Sequence, residues 1–305
     1  MTDRASVVYL LPDKMGGSTN IVANLLAYRR PDDLSYHAVL THNHLHTDRR
    51  YSRALSADTQ TIVEYTLPIE NLHAVMRRVA RAIPPGGGVY VAGDLLDLAV
   101  ASAHDFGRAV IYMLHGDTEY YYDLAVRHDP IVHAFIAYSR RMYDELLRRL
   151  PHRADAIFHL PYGIPLPAAV RRPAAGPLRV IYGGRFEQQQ KGVFDLPEID
   201  RLLQAMGVSV AWTVAGMGSD EDELKRRWAF NPRVHWMGAQ ARQDIARRFD
   251  IRDRVADYQA LFARWRELYR PHSAGSHLTY GSRLDRPWMP NPLVRLVRTA
   301  MRAAR

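Results

Sequence analysis

A chain of 305 residues can bury substantial cores, and its length favours two domains. The absence of cysteine excludes disulfides, thiolate nucleophiles and Cys-ligated zinc. A formal net charge of +9 favours anionic partners, whether nucleotide diphosphates, anionic lipid surfaces or nucleic acid, without choosing among them.

No apolar run in the sequence is long enough to span a bilayer. The stretch from Val7 to Leu11 meets Pro12 too soon to be the apolar core of a secretory signal, so a cytoplasmic location is expected. Much of the basic excess is dispersed, as in Arg140, Arg141, Arg148, Arg149 and Arg153, a pattern typical of solvated helix faces. There is no zinc-finger spacing, RNA-binding aromatic signature or basic region joined to heptads, so nucleic acid is not an expected partner.

In chain order, Ser6 to Leu11 reads as a buried strand, and Pro12 to Asn20 as a loop holding Gly16 and Gly17. Ile21, Leu25 and Leu26 then mark a helix, with Ser18 or Thr19 as N-cap. The loop lacks the G-x-G-x-x-G spacing of a dinucleotide fold. Tyr36 to Leu40 is a second strand. His42, His44 and His46 follow it and would share a face if the strand continued. Asn43, Thr47 and Asp48 favour a loop there, and without an accompanying carboxylate cluster no metal site is expected. Ile62 to Leu67 is a third strand, Asn71 to Ile83 a helix, and Val89 to Ala92 a fourth strand ending in Gly93 and Asp94.

Ala109 to Leu114 is a further strand, ending in His115, Gly116 and Asp117. Ligands of open α/β sheets gather at the carboxyl ends of strands, which makes His115 a candidate donor to ligand hydroxyls. The competing reading is a turn in which Gly116 supplies an unusual φ and His115 packs. Tyr120, Tyr121 and Tyr122 open a helix, either as core or as a shelf for a ligand ring. Ile131 to Tyr138 is a strand, Met142 to Leu150 a helix closed by Pro151, and Ala156 to Leu160 another strand. Pro161 to Pro177, rich in Pro, Ala and Arg, reads as an interdomain linker.

The stretch Leu178 to Leu203 repeats the order strand, double glycine, helix. Leu178 to Tyr182 stops at Gly183 and Gly184, and Phe194, Ile199, Leu202 and Leu203 recur at helical intervals. The intervening loop carries Arg185 and Lys191. Of 41 basic residues only Lys14, Lys191 and Lys225 are lysines, so a lysine beside a loop glycine stands out. A flat guanidinium fork and a compact ammonium together suit a diphosphate, and the following helix points its positive end at the same place. The alternative is a solvated loop with incidental charges. Val208 to Val214 is the next strand, continued by Gly216 and Gly218, with Ser219 or Asp220 capping a helix that contains Leu224. Val234 to Met237 then ends at Gly238.

The string GGRFEQQQKG resembles the Gly-Arg-(loop)-Lys-Gly donor loop of GT-B glycosyltransferases, in particular the family 4 group of retaining enzymes. The resemblance implies an α/β fold of two Rossmann-like doubly wound parallel-sheet domains. It implies that Gly184, Arg185 and Lys191 hold the diphosphate of a nucleotide sugar, and that Gly216 and Gly238 lie near its nucleotide or sugar. Gly16 and Gly17 would face the acceptor, and His115 would lie by the donor sugar as a catalytic candidate. PYGIPLP matches the segment leading into the second domain, with Tyr162 where an Asn is usual. The implied organisation is an acceptor-side domain over 1–165, a linker over 166–177, a partial donor domain over 178–250, and a closing helix with basic tail over 251–305. The implied partners are a nucleotide diphosphate sugar and an unidentified acceptor, a saccharide or lipid-linked saccharide, with neither cofactor nor metal.

The sequence departs from that family after Asp250, where another strand and a Glu-x7-Glu region should follow. Downstream of Arg185 the glutamates are Glu187, Glu198, Glu221, Glu223 and Glu267, and none has a partner eight positions on. A catalytically impaired relative that binds nucleotide or serves as an interaction module is therefore the second reading. Ile251 to Tyr269 resembles the family's closing helix and is expected to cover the open face of the shortened donor sheet, unless another chain does. A single helix from Ala241 to Tyr269 is the competing arrangement. Leu293, Leu296, Val297, Ala300 and Met301, with four arginines, make the tail a basic amphipathic helix, able to rest on an anionic membrane or to dock on the first domain.

Overall fold

The computed structural model describes residues 4–14, 16–45, 50–51, 54–165, 178–184, 186–216, 218–236, 251–272, 278 and 280–303. The chain divides into one compact unit made of Met1–Leu166 with Phe249–Arg305 and a second made of Pro167–Arg248.

The first unit is built on a parallel sheet. Its strands are β1 (Ser6–Pro12), β2 (Ser35–Asn43), β3 (Thr59–Tyr65), β4 (Gly88–Ala92), β5 (Arg108–Met113), β6 (Ala134–Ala137) and β7 (Ile157–His159). They pair in the order β3-β2-β1-β4-β5-β6-β7, with parallel register throughout. β1, β4, β5 and β6 are near-continuous apolar runs because helices cover both faces of the sheet. The strand order reverses between β1 and β4. Crossovers leave β1 in one direction and β4 in the other, so a crevice opens above their carboxyl ends.

The helices are α1 (Gly17–Ala27), α2 (Leu72–Arg81), α3 (Leu95–Ala103), α4 (Glu119–His128) and α5 (Arg140–Arg149). Asn71 caps α2 and Ser139 caps α5 through their side chains. Neither Ser18 nor Thr19 caps α1, which starts after Gly16. The sequence reading passed over α3, whose residues from Asp97 to Ser102 are all buried. Without an outward polar stripe it carries no helical period to detect.

At the amino end of the sheet, Arg108 closes the floor. Its buried guanidinium donates to the carbonyls of Ser6, Gly87, Pro84 and Pro85, taking up oxygens that the strand ends leave over.

The second unit holds a smaller parallel sheet, ordered β10-β9-β8 from β8 (Leu178–Gly183), β9 (Val210–Ala215) and β10 (Val234–His235). Its helices are α6 (Gln188–Lys191), α7 (Asp195–Ala205) and α8 (Glu221–Arg227). Trp212, Trp228, Val193, Val214, Leu224 and Phe186 form its core. The carboxylate of Asp200 is buried among them and accepts from the indoles of Trp212 and Trp228 and from the Asn231 amide.

The 251–269 stretch corrects an expectation. It forms α9 (Ile251–Ala263) and the short α10 (Trp265–Leu268), broken at Arg264. Ile251, Val255, Tyr258, Leu261 and Phe262 are buried in the core of the first unit, not spread over the small sheet. At roughly 2 kcal/mol for each large apolar side chain removed from water, this burial ties α9 to the seven-stranded sheet. The Ile251 amide donates to the Ile164 carbonyl, and the Tyr258 hydroxyl to that of Leu160. The Ala241 to Asp250 part of the long-helix alternative lies outside the described residues. The tail forms α11 (Asn291–Ala303).

Candidate functional site

The carboxyl end of the large sheet gathers the loops after β1, β4 and β5. A cavity of about 140 Å³ opens at the strand-order switch, lined by Asp13, Lys14, His42, Tyr65, Asp94 and Asp97 among others. The buried Asp13 carboxylate accepts from Arg50 Nε at 2.7 Å and from the Tyr51 amide at 3.1 Å, which ties that stretch to the cavity rim.

After β4, Asp94 and Asp97 form a capping box at the start of α3. Asp97 Oδ2 accepts from the amides of Gly93 and Asp94 at 2.9 and 3.0 Å, and burial pushes its pKa well above the usual carboxylate range. Asp94 accepts from the Leu95 amide and the Tyr120 hydroxyl. Sequence reading noticed Asp94 only as the end of a strand. The signal it missed was the Asp-x-x-Asp spacing directly before α3.

His115 follows β5, as expected. Burial pulls its pKa down to about 4, so the ring is neutral at physiological pH. Its Nδ1 lies 3.3 Å from the Tyr138 hydroxyl and 3.4 Å from that of Tyr162. Its Nε2 lies on the side of Gly93. There a methyl on Gly93 would come within 2.5 Å of Nε2, so the absence of a side chain at that position makes room for the ring. His115 is therefore closely packed, as one of the two readings has it.

Gly116 has no positive φ among the described glycines, contrary to one of those readings. A side chain there would strike the Tyr121 ring at 2.4 Å, so packing is what requires glycine. Asp117 accepts from the Tyr122 hydroxyl and pairs with Arg141 at 3.2 Å. Of the three tyrosines Tyr122 is core, while Tyr120 is 47% exposed.

Gly16 and Gly17 stand at the start of α1, and a methyl on either would meet nothing within 4 Å. Gly16 has φ −172°, an extended value open to any residue. No packing or dihedral constraint at Gly16 demands a glycine.

His42 ends up inside β2 and His44 just past it, with ring centroids 5.2 Å apart; His46 lies outside the described residues. Among the described residues no three His, Asp or Glu side chains gather as ligands for a metal ion.

The carboxyl end of the small sheet carries the second set of candidates. Arg185 and Gly238 lie outside the described residues. Lys191 is exposed at the last position of α6, followed by Gly192 at φ +60°, the left-handed value that ends a helix most cheaply with glycine. The loops after β8 and β9 interlock. A methyl on Gly216 would stand 1.8 Å from the Gly184 carbonyl oxygen, and one on Gly218 would stand 2.1 Å from that of Phe186.

Asp220 fastens the two loops together. Its Oδ2 accepts from the Gln188 amide at 2.7 Å, and its own amide donates to the Phe186 carbonyl at 3.1 Å. The expected capping of α8 by the Asp220 side chain is not made, because the carboxylate is turned to the start of α6 instead. The amino end of α7, read as a positive end, carries acidic residues. Asp195 and Glu198 occupy its first turn, and Gln188 Oε1 accepts from the Phe194 amide at 2.7 Å.

No protein-family model matches the sequence, and neither does any curated protein. Solved structures do match. The lipopolysaccharide outer core galactosyltransferase WaaB in its apo form superposes with a TM-score of 0.53 at 12% identity, over 77% of this chain and 68% of that one. Anabaena Alr3699/HepE in complex with UDP and glucose superposes with a TM-score of 0.52 at 15% identity, over 78% and 70% of the two chains.

The fold is GT-B, with the second Rossmann-like domain cut short. The same Anabaena protein has also been solved with UDP-glucose, matching with a TM-score of 0.51 at 15% identity over 77% and 69%. At these identities the likeness is one of architecture. Among the described residues no helix is long and apolar enough to cross a membrane.

Proposed function

We propose that this GT-B chain is a glycosyltransferase that takes a sugar from a nucleotide diphosphate donor, with retention of configuration as in the family 4 group. The observation that carries the reading is the interlocked pair of loops that ends in the exposed Lys191. Two glycines and a buttressing carboxylate fix the backbone of a short loop whose charged tip is a lysine. The Anabaena structures with UDP and UDP-glucose support a nucleotide sugar as the ligand of this fold.

In this reading Lys191 and Arg185 neutralise the charge that grows on the departing diphosphate, which makes them more valuable in the transition state than in the ground state. Those cations take the part a metal plays elsewhere, and no metal is required. Gly16 and Gly17 leave space for an acceptor at the large sheet, and the neutral His115 offers a donor to a hydroxyl.

Transfer from UDP-glucose and related donors tests this directly. Replacing Lys191 and Arg185 together by Ala is expected to lower kcat/KM by about 100-fold or more. Unchanged transfer by the double variant rejects the assignment. The absence of a Glu-x7-Glu pair favours a second reading, an impaired relative that binds nucleotide without transferring sugar. Calorimetry separates the two, since UDP binding that Lys191→Ala abolishes, in a protein with no turnover on any donor, selects the second.

A further inference from the structure

The tail helix α11 uses two faces for two purposes. One side docks onto the first unit: Val294 is fully buried, Asn291 Oδ1 accepts from the Asn71 amide at 2.7 Å, and Arg298 reaches the buried Asp285 at 2.6 Å. Arg298 also donates to the Glu70 carbonyl at 2.6 Å. These contacts hold the helix rigidly against the start of α2, as a fixed part of the surface.

The other side faces outward and is apolar. Leu293 is 50% exposed and Leu296 69%, and Trp288, just before the helix, is 76% exposed, while Met301, 54% exposed, lies two turns after Val294 on that residue's side of the helix. Leu293, Leu296 and Ala300 follow one another at helical spacing and so form a stripe. Bulky side chains left in water along one stripe of a docked helix mark an interaction surface.

The charge around the stripe is of one sign. From Arg286 to Arg305 the sequence holds five arginines and no aspartate or glutamate, and of these Arg298 is neutralised by Asp285. Arg295 and Arg302 are exposed on the same helix. On the neighbouring α2, Arg77 donates to the Pro287 carbonyl at 3.3 Å, bringing another cation to this face. The positive field is felt locally: burial and then Arg77 hold the His73 pKa below its usual value, with Arg286 adding and Asp285 opposing.

We propose that this face rests on an anionic lipid surface, with Trp288, Leu293 and Leu296 entering the interface and Arg295 and Arg302 meeting headgroup phosphates. A second copy of the chain would bring like charge against like. A nucleic acid would satisfy the arginines but leave two leucines and a tryptophan in water. A lipid interface accepts both. The claim is independent of the transfer reading, because lipid binding needs no sugar.

The experiment uses the full chain and vesicles of phosphatidylcholine with or without phosphatidylglycerol, read by co-sedimentation. Partitioning is expected onto the anionic vesicles and to weaken with added salt. Each Arg→Glu change at Arg295 and Arg302 should cost roughly fivefold or more. The pair Leu293→Glu with Leu296→Glu should cost about tenfold or more. All four positions are exposed, so thermal melts should match the parent protein. Should the leucine pair impair folding, Trp288→Ala, outside the helix, is expected to lower partitioning on its own, and the fall in acrylamide quenching of tryptophan fluorescence on adding vesicles should be larger for the parent than for Trp288→Ala. Partitioning that is indifferent to these changes, or equal on neutral vesicles, overturns the proposal. So does self-association abolished by the leucine changes, or DNA binding that rivals vesicle binding.

Discussion

Two pairs of glycines look alike in the sequence and are opposites in the structure. Gly216 and Gly218 are enclosed by backbone on all the space a side chain would use, at 1.8 and 2.1 Å from carbonyl oxygens, and Gly216 has φ +159°. Gly16 and Gly17 face open space. The first pair is explained by the protein's own packing. The second has no such explanation among the described residues. A glycine that the fold does not need is the better pointer to a ligand, and by that measure the loop after β1 is a stronger candidate for contact than the loop after β9.

The comparison breaks first at Gly216. Gly216→Ala is expected to cost roughly 3 kcal/mol or more, since backbone cannot yield as a side chain can. Three of the five tryptophans, Trp212, Trp228 and Trp236, lie in the second unit, so near-UV circular dichroism reads its loss selectively. A variant that melts like the parent would mean that the loops are not interlocked.

Asp200 sharpens the same point from below the loops. Asp200→Ala leaves two buried indole N–H groups without an acceptor and is expected to cost about 2–4 kcal/mol of second-unit stability, measured by urea denaturation. Burial alone would raise the Asp200 pKa, but the bonds from Asn231, Trp228 and Trp212 outweigh it and hold the carboxyl below its usual range. Its stabilising contribution is therefore complete above the unfolded-state value of about 4 and is lost as pH falls through the lower folded value. Asp200→Asn should flatten that acid limb.

Asp220 tests whether the packed loops serve the exposed one. Asp220→Ala removes the acceptor for the Gln188 amide and is expected to cost about 1 kcal/mol, with raised hydrogen exchange confined to 188–191. Asp220→Asn keeps an oxygen there and should restore most of the protection.

The smallest effect belongs to the open pair. Gly16→Ala and Gly17→Ala should leave the melting temperature within about 0.5 kcal/mol equivalent of the parent. If the loop faces a substrate, the same changes raise KM for it. A large loss of stability would show that Gly16 and Gly17 are structural after all and dissolve the contrast.

Much of the scaffold was legible because parallel strands buried on both faces write themselves as apolar runs: Ser6 to Leu11, Val89 to Ala92 and Ala109 to Leu114 were each placed to within about two residues. Helix α3 was not, for the complementary reason that its run from Asp97 to Ser102 is buried without a polar outer stripe. The site was legible by position and less so by role. His115 sits at its strand end as expected, yet the residues packed around its ring, Tyr138, Tyr162 and Gly93, are 23, 47 and 22 residues away in the chain. Asp220 was read as a helix cap from its local sequence. Its true partner is Gln188 on the neighbouring loop, a pairing that no local pattern encodes. The destination of α9 was missed likewise, since an apolar stripe declares that it will be buried but not against what.

Because α9 fills the core of the first unit while the second unit lies between its two segments, order of synthesis and order of completion are inverted. The ribosome releases all of the second unit before the helix that finishes the first. The large sheet must then wait, with its apolar groove for Val255, Tyr258 and Phe262 still open to solvent and to chaperones, while the smaller body is free to settle.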